Sequence, residues 1–377
     1  MSILLENLPD INFAEKDVGV TETEVITRFE EKLGRRLYPG DPWRQALLSL
    51  VYLMAMQRAS IDFAGKQNLL RYSQDGFIQN IAALVGTVQL EPRSATTTLE
   101  FGLSTTLPNA TTIPPGTRAS PGGGIFFATT HAAEIPAGEL SVIVPAECTQ
   151  VGVIGNGFMK GQVNRLVDTF PFAFSVENTS MTQGGADIEG IEPFRERTRM
   201  APESYSSAGP RGAYIYWAKT ANQLIVDVEA RSPRPCVVNV VPLLKGGEIP
   251  DQSILDEVYR ICSADDKRPL TDHVIVSAPE VVRYGISFTY YISRWDAAVG
   301  LNLQQRVDEA VQAYILWQKT KLGRNIDPST LIKMVRNIGV RVDVDELLPE
   351  FKALEFYQIG VADEDNIKVT YGGLEDN

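Results

Sequence analysis

Residues 75–104 read DGFIQNIAALVGTVQLEPRSATTTLEFGLS, and within that span the hydrophobic period changes. DGFIQNIAALVG has the pattern of a short helix, whereas from about residue 94 ATTTLEFGLS reads as a strand bounded by turn residues. A chain of 377 residues exceeds one compact core. The break therefore separates an N-terminal helical segment over residues 1–90 from a small antiparallel β domain over residues 91–180.

Outward toward the N terminus, TETEVITRFEEKLG offers Thr21 or Thr23 as a cap ahead of Val25, Ile26, Phe29 and Leu33, which share one helical face. After YPGDP a second helix is expected from Asp41, with Pro42 in its first turn, to about Arg71. Along it Trp43, Leu47, Leu50, Met54 and Ile61 follow an approximate a/d rhythm, and Leu48, Tyr52, Ala55 and Ala59 form a second apolar row. Two rows call for two helical neighbours, either within the chain or in an intermolecular bundle whose contacts would be the first five residues. The most apolar run, LLSLVYLMAM, lies between Arg44 and Arg58, too close for the ~20 apolar residues of a membrane span. It is expected to be a buried helix.

Outward toward the C terminus, IFFATTHAAEI, PAGELSVIVPAECTQ and VGVIGNG are strand candidates separated by Pro, Gly and Asn. SVENTSMTQGG is expected to be a linker. Helices over EPFRERTR and RGAYIYWAKTA then precede the strands QLIVDVEA and CVVNVVPLL, a helix through ILDEVYRICS and the strand HVIVSAP. That order predicts an α+β domain over residues 181–280 in which a crossover helix joins the second strand to the third. A second one over residues 281–377 has the strand VRYGISFTYYIS, helices over Leu301–Lys321 and DPSTLIKMVRNIG, and the strands VRVDVDEL and NIKVTYGG. The fold class is multidomain α+β, with two C-terminal α/β-layer domains.

Composition narrows the chemistry. The 35 Lys and Arg against 47 Asp and Glu give a net charge of −12, which disfavours a nucleic-acid partner. The first residues lack the basic and apolar regions of a signal peptide, so no membrane partner is expected. Cys148, Cys236 and Cys262 have no metal or redox spacing, and Cys236 and Cys262 read as small hydrophobes in a strand and a helix. His131 and His273 lie far apart, and no Gly-x-Ser-x-Gly elbow occurs. No cofactor, metal site or catalytic residue is assigned.

The densest acidic group lies in GGADIEGIEPFRERTR, residues 184–199, where Asp187, Glu189, Glu192 and Glu196 could form an acid/base pair. If EPFRERTR is helical, Glu192 meets Arg195 and Glu196 meets Arg199 three residues on, and the cluster compensates itself. Scaffold is the stronger interpretation. Among the aromatics Tyr205, Tyr214, Tyr216 and Trp217, helical spacing puts Tyr214 and Trp217 on one face, as for core or subunit contact.

IPPGTRASPGGGIFFATTHAAEIPAG, VPAECTQVGVIGNG, GGADIEGIEPFRERTR, GPRGAYIYWAKTANQLIVDVEA and LGRNIDPSTLIKMVRNIGVRVDV follow in consecutive order. Together they resemble the baseplate J-like proteins of contractile phage tails and related injection systems. The resemblance implies a non-enzymatic baseplate wedge subunit that rearranges on contraction. It implies a second copy of the chain and a tail protein I-like partner in an N-terminal helical bundle, a small inner-baseplate or sheath-initiating protein, and neighbouring wedges around a central hub. Assembly in the bacterial cytoplasm and residence in the virion follow. Gly184, Gly185, Asp187, Glu189, Arg195 and Arg197 would be a structural signature. The competing expectation is a carbohydrate-binding or carbohydrate-cleaving tail protein with Asp187 or Glu189 as acid, which requires a concave aromatic-lined pocket.

Overall fold

A computed structural model describes residues 5–170, 174–206, 208–343 and 349–376. The fold is mixed α+β and forms two compact units, one of residues up to Gln89 with Gly190–Ala201, the other of Leu90–Glu189 with the residues from Pro202 onward.

The first unit is helical. Helix α1 spans Val18–Leu33 and starts before either threonine expected to cap it, because the Asp17 carboxylate accepts from the amides of Gly19 and Val20. Gly34 ends the helix in the left-handed region at φ 68°. Helix α2, Pro42–Lys66, is capped by Asp41 with Pro42 in its first turn. It stops five residues short of Arg71. Helices α3, Asp75–Leu84, and α4, Ile191–Met200, enclose a small core of Ile78, Ala82 and Phe194 with Leu70 and Ile191. The stretch Gly190–Ala201 thus packs with the N-terminal helices and not, as the sequence suggests, with residues 181–280.

The α1–α2 hairpin buries Ile26 and Thr21 on one side and Leu47, Val51, Ala55 and Asp62 on the other. Arg44 reaches Glu22 at 2.8 Å, and Arg58 reaches the Thr21 hydroxyl at 2.8 Å. This seam runs between the two predicted apolar rows and takes one residue from each. LLSLVYLMAM is accordingly helical but largely exposed, with only Leu47, Val51 and Ala55 buried.

The residues before α1 form a strap anchored at Asp62. Its carboxylate accepts from the Phe13 amide at 2.9 Å and pairs with Lys16 at 2.7 Å and Lys66 at 3.1 Å. The Phe13 ring lies against Gly65, where an added Cβ would meet it at 2.5 Å. The Lys16 hydrogen bond and the Phe13 amide hold the carboxyl well below the ordinary aspartate value of 3.8. A depressed folded value means that the stabilisation is present above 3.8 and is lost as pH falls through the folded value. Amide exchange at Phe13, corrected for intrinsic rate, should therefore accelerate as pH falls below the ordinary carboxylate range, and Asp62→Ala should reproduce that acceleration at neutral pH. Exchange that ignores both changes would show that Asp62 does not hold the strap.

In the second unit, strands β1 (Ser94–Leu103), β2 (Thr111–Ile113), β3 (Arg118–Gly122), β4 (Ile125–Thr129), β5 (Ala133–Ile135), β6 (Ser141–Val151), β7 (Arg165–Leu166) and β8 (Phe174–Asn178) come first. Six of them form a sheet of order β7-β3-β4-β6-β1-β8, while β2 pairs with β5. The edge strands β7 and β8 approach each other, so the sheet is a nearly closed barrel around Leu99, Phe101, Phe127, Val144 and Val176. VGVIGNG is not a strand: β6 ends at Val151, Gly152 has φ 102°, and Val153–Gly155 is a 3₁₀ turn. SVENTSMTQGG is not a free linker, since its first residues belong to β8. The Asn178 amide, fully buried, donates to the carbonyls of Met159 at 2.9 Å and Ser180 at 2.7 Å.

Helix α5 (Arg211–Ala221), strands β9 (Ile225–Arg234) and β10 (Val237–Leu244), helix α6 (Gln252–Cys262) and β11 (His273–Val276) follow. β10 pairs antiparallel with β9 and parallel with β11, and α6 is the crossover between the parallel pair. The last layer contains β12 (Glu280–Ser293), α7 (Gly300–Lys319), α8 (Pro328–Arg336), β13 (Arg341–Val342) and β14 (Gln358–Glu375), in sheet order β13-β12-β14. Part of the expected strand VRVDVDEL, residues 344–347, lies outside the described residues. β14 begins eight residues before the predicted NIKVTYGG. Val241 and Leu243 of β10 meet Leu322 and Ile359, which joins this layer to the preceding one.

Candidate partner interface and signature segment

The two glycines of GGADIEG differ in what they require. Gly184 has φ 84° and an added Cβ there would make only an ordinary contact with the Thr96 hydroxyl at 3.7 Å, while one on Gly185 would meet the Gly152 carbonyl oxygen at 2.4 Å, Asn156 Oδ1 at 2.8 Å and the Ala95 amide at 3.0 Å. The Asn156 side chain clamps that peptide from both ends: Gly185 N donates to its Oδ1 at 2.9 Å, and its Nδ2 donates to the Gly185 carbonyl at 2.7 Å. The sequence shows Asn156 only as a turn residue. Next, Ala186 forms a two-way bridge with Arg93 at 2.7 and 2.9 Å.

The acids of this unit are bound to backbone. Asp187 Oδ1 accepts from Val153 N at 3.2 Å, and the buried Glu189 accepts from Leu90 N at 3.0 Å while donating its own amide to the Leu90 carbonyl at 3.0 Å. A carboxylate that accepts a main-chain amide is oriented as a structural acceptor. Arg93 continues the join, its guanidinium meeting Glu257 at 2.7 Å and the Ala221 carbonyl at 2.9 Å. Beside it lies a cleft of about 670 Å³ lined by polar and aliphatic groups including Arg93, Ser94, Glu147, Glu257 and Arg260, with no aromatic ring.

In the helical unit, Arg195 and Arg197 are buried. Arg195 donates to the carbonyls of Leu70 at 3.3 Å, Arg71 at 2.8 Å and Ser73 at 2.8 Å, so it caps the turn that follows α2. Its pair with Glu192, at 3.5 Å, is exposed on the acid side. Self-compensation describes Glu196 and Arg199, bonded at 2.5 and 2.7 Å, better than it describes Arg195. Arg197 donates to the Val88 carbonyl at 2.6 Å.

The predicted bundle contacts divide. Leu47 is 9% exposed and belongs to the hairpin seam, whereas Trp43 is 59%, Leu50 54%, Met54 37% and Ile61 56% exposed. Those four fall on one side of α2, flanked by the exposed Leu53, over a length of about 27 Å at the helical rise per residue. With roughly half of each side chain in water, covering the four would contribute on the order of 4 kcal/mol.

The remaining candidates are structural. Tyr214 and Tyr216 are buried, and Tyr214 donates to Asp272 at 2.7 Å. Burial pushes the Cys262 thiol up to about 12, which removes it as a nucleophile. Cys236 does not head the strand; it is exposed at φ 60° in the turn joining β9 to β10, beside Pro235. His131 lies in the exposed connection between β4 and β5, not in a strand. Among the described residues no group of His, Cys, Asp and Glu is arranged to hold a metal, and no helix is long and apolar enough to cross a membrane.

Residues 98–185 match the Baseplate J-like protein barrel domain, and residues 206–278 match the Baseplate J-like central domain. Over these two stretches the chain is similar to the baseplate J-like proteins. Baseplate protein J of Escherichia phage P2 is 28% identical over 157 residues, which cover 41% of this chain and 51% of that protein. The chain thus spans about half the length of the curated relative it matches. A chain in a cryo-EM structure of the anti-feeding prophage baseplate aligns over 92% of this chain and 90% of its own length, with a TM-score of 0.44 and 13% identity. The barrel match ends on the enclosed Gly185, and α1 to α4 lie outside both matched regions.

Proposed function

We propose that this chain is a non-enzymatic structural subunit of a contractile-tail baseplate, a wedge component resident in the virion. The observation that carries the proposal is the exposed apolar strip Trp43, Leu50, Met54 and Ile61 on α2, in a chain whose following residues match the two J-like domains. One helical neighbour, α1, already occupies the seam through Leu47, Val51 and Ala55. The strip is available to helices from a second copy and from a tail protein I-like partner, with a small inner-baseplate or sheath-initiating protein and neighbouring wedges completing the surroundings. Division into segments 1–90, 91–180, 181–280 and 281–377 is kept as part of this proposal, with α4 reassigned to the first.

Rearrangement on contraction would pivot at the chain crossings between the two units, at Gln89–Leu90, Glu189–Gly190 and Ala201–Pro202. The stretches Leu90–Ser94 and Glu177–Gly185, where the helix or strand pattern of the sequence breaks and a hinge is expected from it, are less suited to pivot, because Leu90, Arg93, Asn178 and Gly185 are each bonded to backbone or to Asn156. Carbohydrate cleavage finds no support at Asp187 and Glu189, which accept main-chain amides.

Leu50→Asp with Met54→Asp alters two exposed positions, so the monomer should keep its fold. Native mass spectrometry of the chain co-expressed with neighbouring tail proteins should show a complex of two copies with one partner for the wild type, and about a hundredfold weaker association for the double variant. An unchanged complex would remove the α2 strip from the interface.

A further inference from the structure

We propose that the outer edge of β14, from Ile367 to Tyr371, accepts an extended basic segment of another protein by strand addition. β14 pairs in parallel with β12 on one side and with no strand on the other among the described residues. An unpaired edge presents backbone donors and acceptors along its length, and folded proteins usually blunt such edges with charge and bulges.

Here the blunting is local. Tyr284 and Ile286 of β12 align with Ala362 and Ile367, so the Asp363–Asn366 segment bulges from the ladder. A second irregularity falls at Gly372 and Gly373, between the pairs Tyr290↔Tyr371 and Ile292↔Leu374. Between the bulges, Ile367–Tyr371 runs in unbroken register against Ile286–Tyr290. Ile367 and Val369 pack toward the core, while Lys368 and Thr370 are exposed. This is the arrangement an added strand can read: main-chain bonds along the edge and side chains on alternate faces.

Charge selects the occupant. Asp363 pairs with Arg283 at 3.8 Å, Glu375 with Arg341 at 2.6 Å and Asp376 with Arg294 at 2.9 Å. Exposed Glu364 and Asp365 have no ion pair among the described residues, so the open ladder begins beside two uncompensated carboxylates. A segment carrying Lys or Arg there is favoured, with an attraction that salt screens.

The test uses the full chain and the acetylated, amidated peptide Lys-Val-Lys-Val-Lys-Val-Lys, followed by hydrogen exchange. Protection of about fivefold is expected at Ile367–Tyr371, reduced when salt rises from about 50 to about 300 mM and abolished by E364K with D365K. Equal protection by an acidic control peptide, Glu-Val-Glu-Val-Glu-Val-Glu, protection centred on another strand, or none would overturn the proposal. In the co-expressed assembly, whose use rests on the baseplate proposal, a photo-crosslinker at Lys368 should capture a basic extended segment of a different tail protein. An assembly that forms while Lys368 crosslinks to a second copy, or to nothing, would refute the occupant. The peptide arm is independent of the baseplate proposal, so the two failures are distinguishable.

Discussion

Arg195→Ala should unfold the helical unit well before the native chain, with a loss of about 3 kcal/mol or more. The guanidinium is buried and donates to three carbonyls, those of Leu70, Arg71 and Ser73, in the turn that ends α2 and leads into α3. Removing it takes the side-chain donor from the Arg71 and Ser73 carbonyls, leaves Leu70 with only the Ser73 hydroxyl at 3.2 Å, and opens a hole beside Phe194 and Leu70. Glu192→Ala is the control: its carboxylate is exposed and 3.5 Å from the same arginine, so its loss should cost no more than about 0.5 kcal/mol. Arg195→Lys should fall between, because a single ammonium cannot span three carbonyls as a planar fork does. Urea unfolding followed by far-ultraviolet circular dichroism, with amide exchange at residues 70–84, measures all three. Equal midpoints for the Ala variants at positions 195 and 192 would mean that the local ion pair, and not carbonyl capping, accounts for Arg195.

That contrast shows what the sequence could convey. Spacing of three residues makes Glu192 the visible partner of Arg195, whereas the carbonyls it caps lie more than a hundred residues earlier and follow no period. Helix α2 is similar. Its two apolar rows are legible, yet which line α1 occupies is set by the Gly34 turn and by Arg44 and Arg58 reaching across, so the seam falls between the rows. The change from helix to strand near residue 94 was readable because TTTLEF alternates. β8 was hidden because its strand runs directly into polar turn residues, among them Ser180, whose carbonyl Asn178 binds. β14 was foreshortened for a related reason: the acidic bulge at Asp363–Asn366 breaks the alternation that marks a strand. The order of α5, β9, β10, α6 and β11 was accessible, since a crossover helix between parallel strands leaves an apolar run on each side.

Gly185→Ala should be the most damaging single-methyl change in the barrel, costing about 3 kcal/mol or more. The reason is space and not backbone conformation, because the neighbouring Gly184 is the one with positive φ. The added carbon would stand 2.4 Å from the Gly152 carbonyl oxygen, 2.8 Å from Asn156 Oδ1 and 3.0 Å from the Ala95 amide. Those atoms belong to three separate stretches, and two are main chain that cannot rotate away. Displacing them also breaks the paired hydrogen bonds of Asn156 and strains the adjoining Arg93–Ala186 bridge. Gly184→Ala meets only the Thr96 hydroxyl at 3.7 Å, so it should cost about 1 kcal/mol for the left-handed conformation alone. Thermal unfolding with amide exchange at Arg93 and Ala186 separates the two variants. Adding Asn156→Ala to Gly185→Ala should recover little, since the closest contact is with a carbonyl that the second change leaves in place. Full recovery would show that the Asn156 side chain, and not the Gly152 backbone, sets the limit at Gly185.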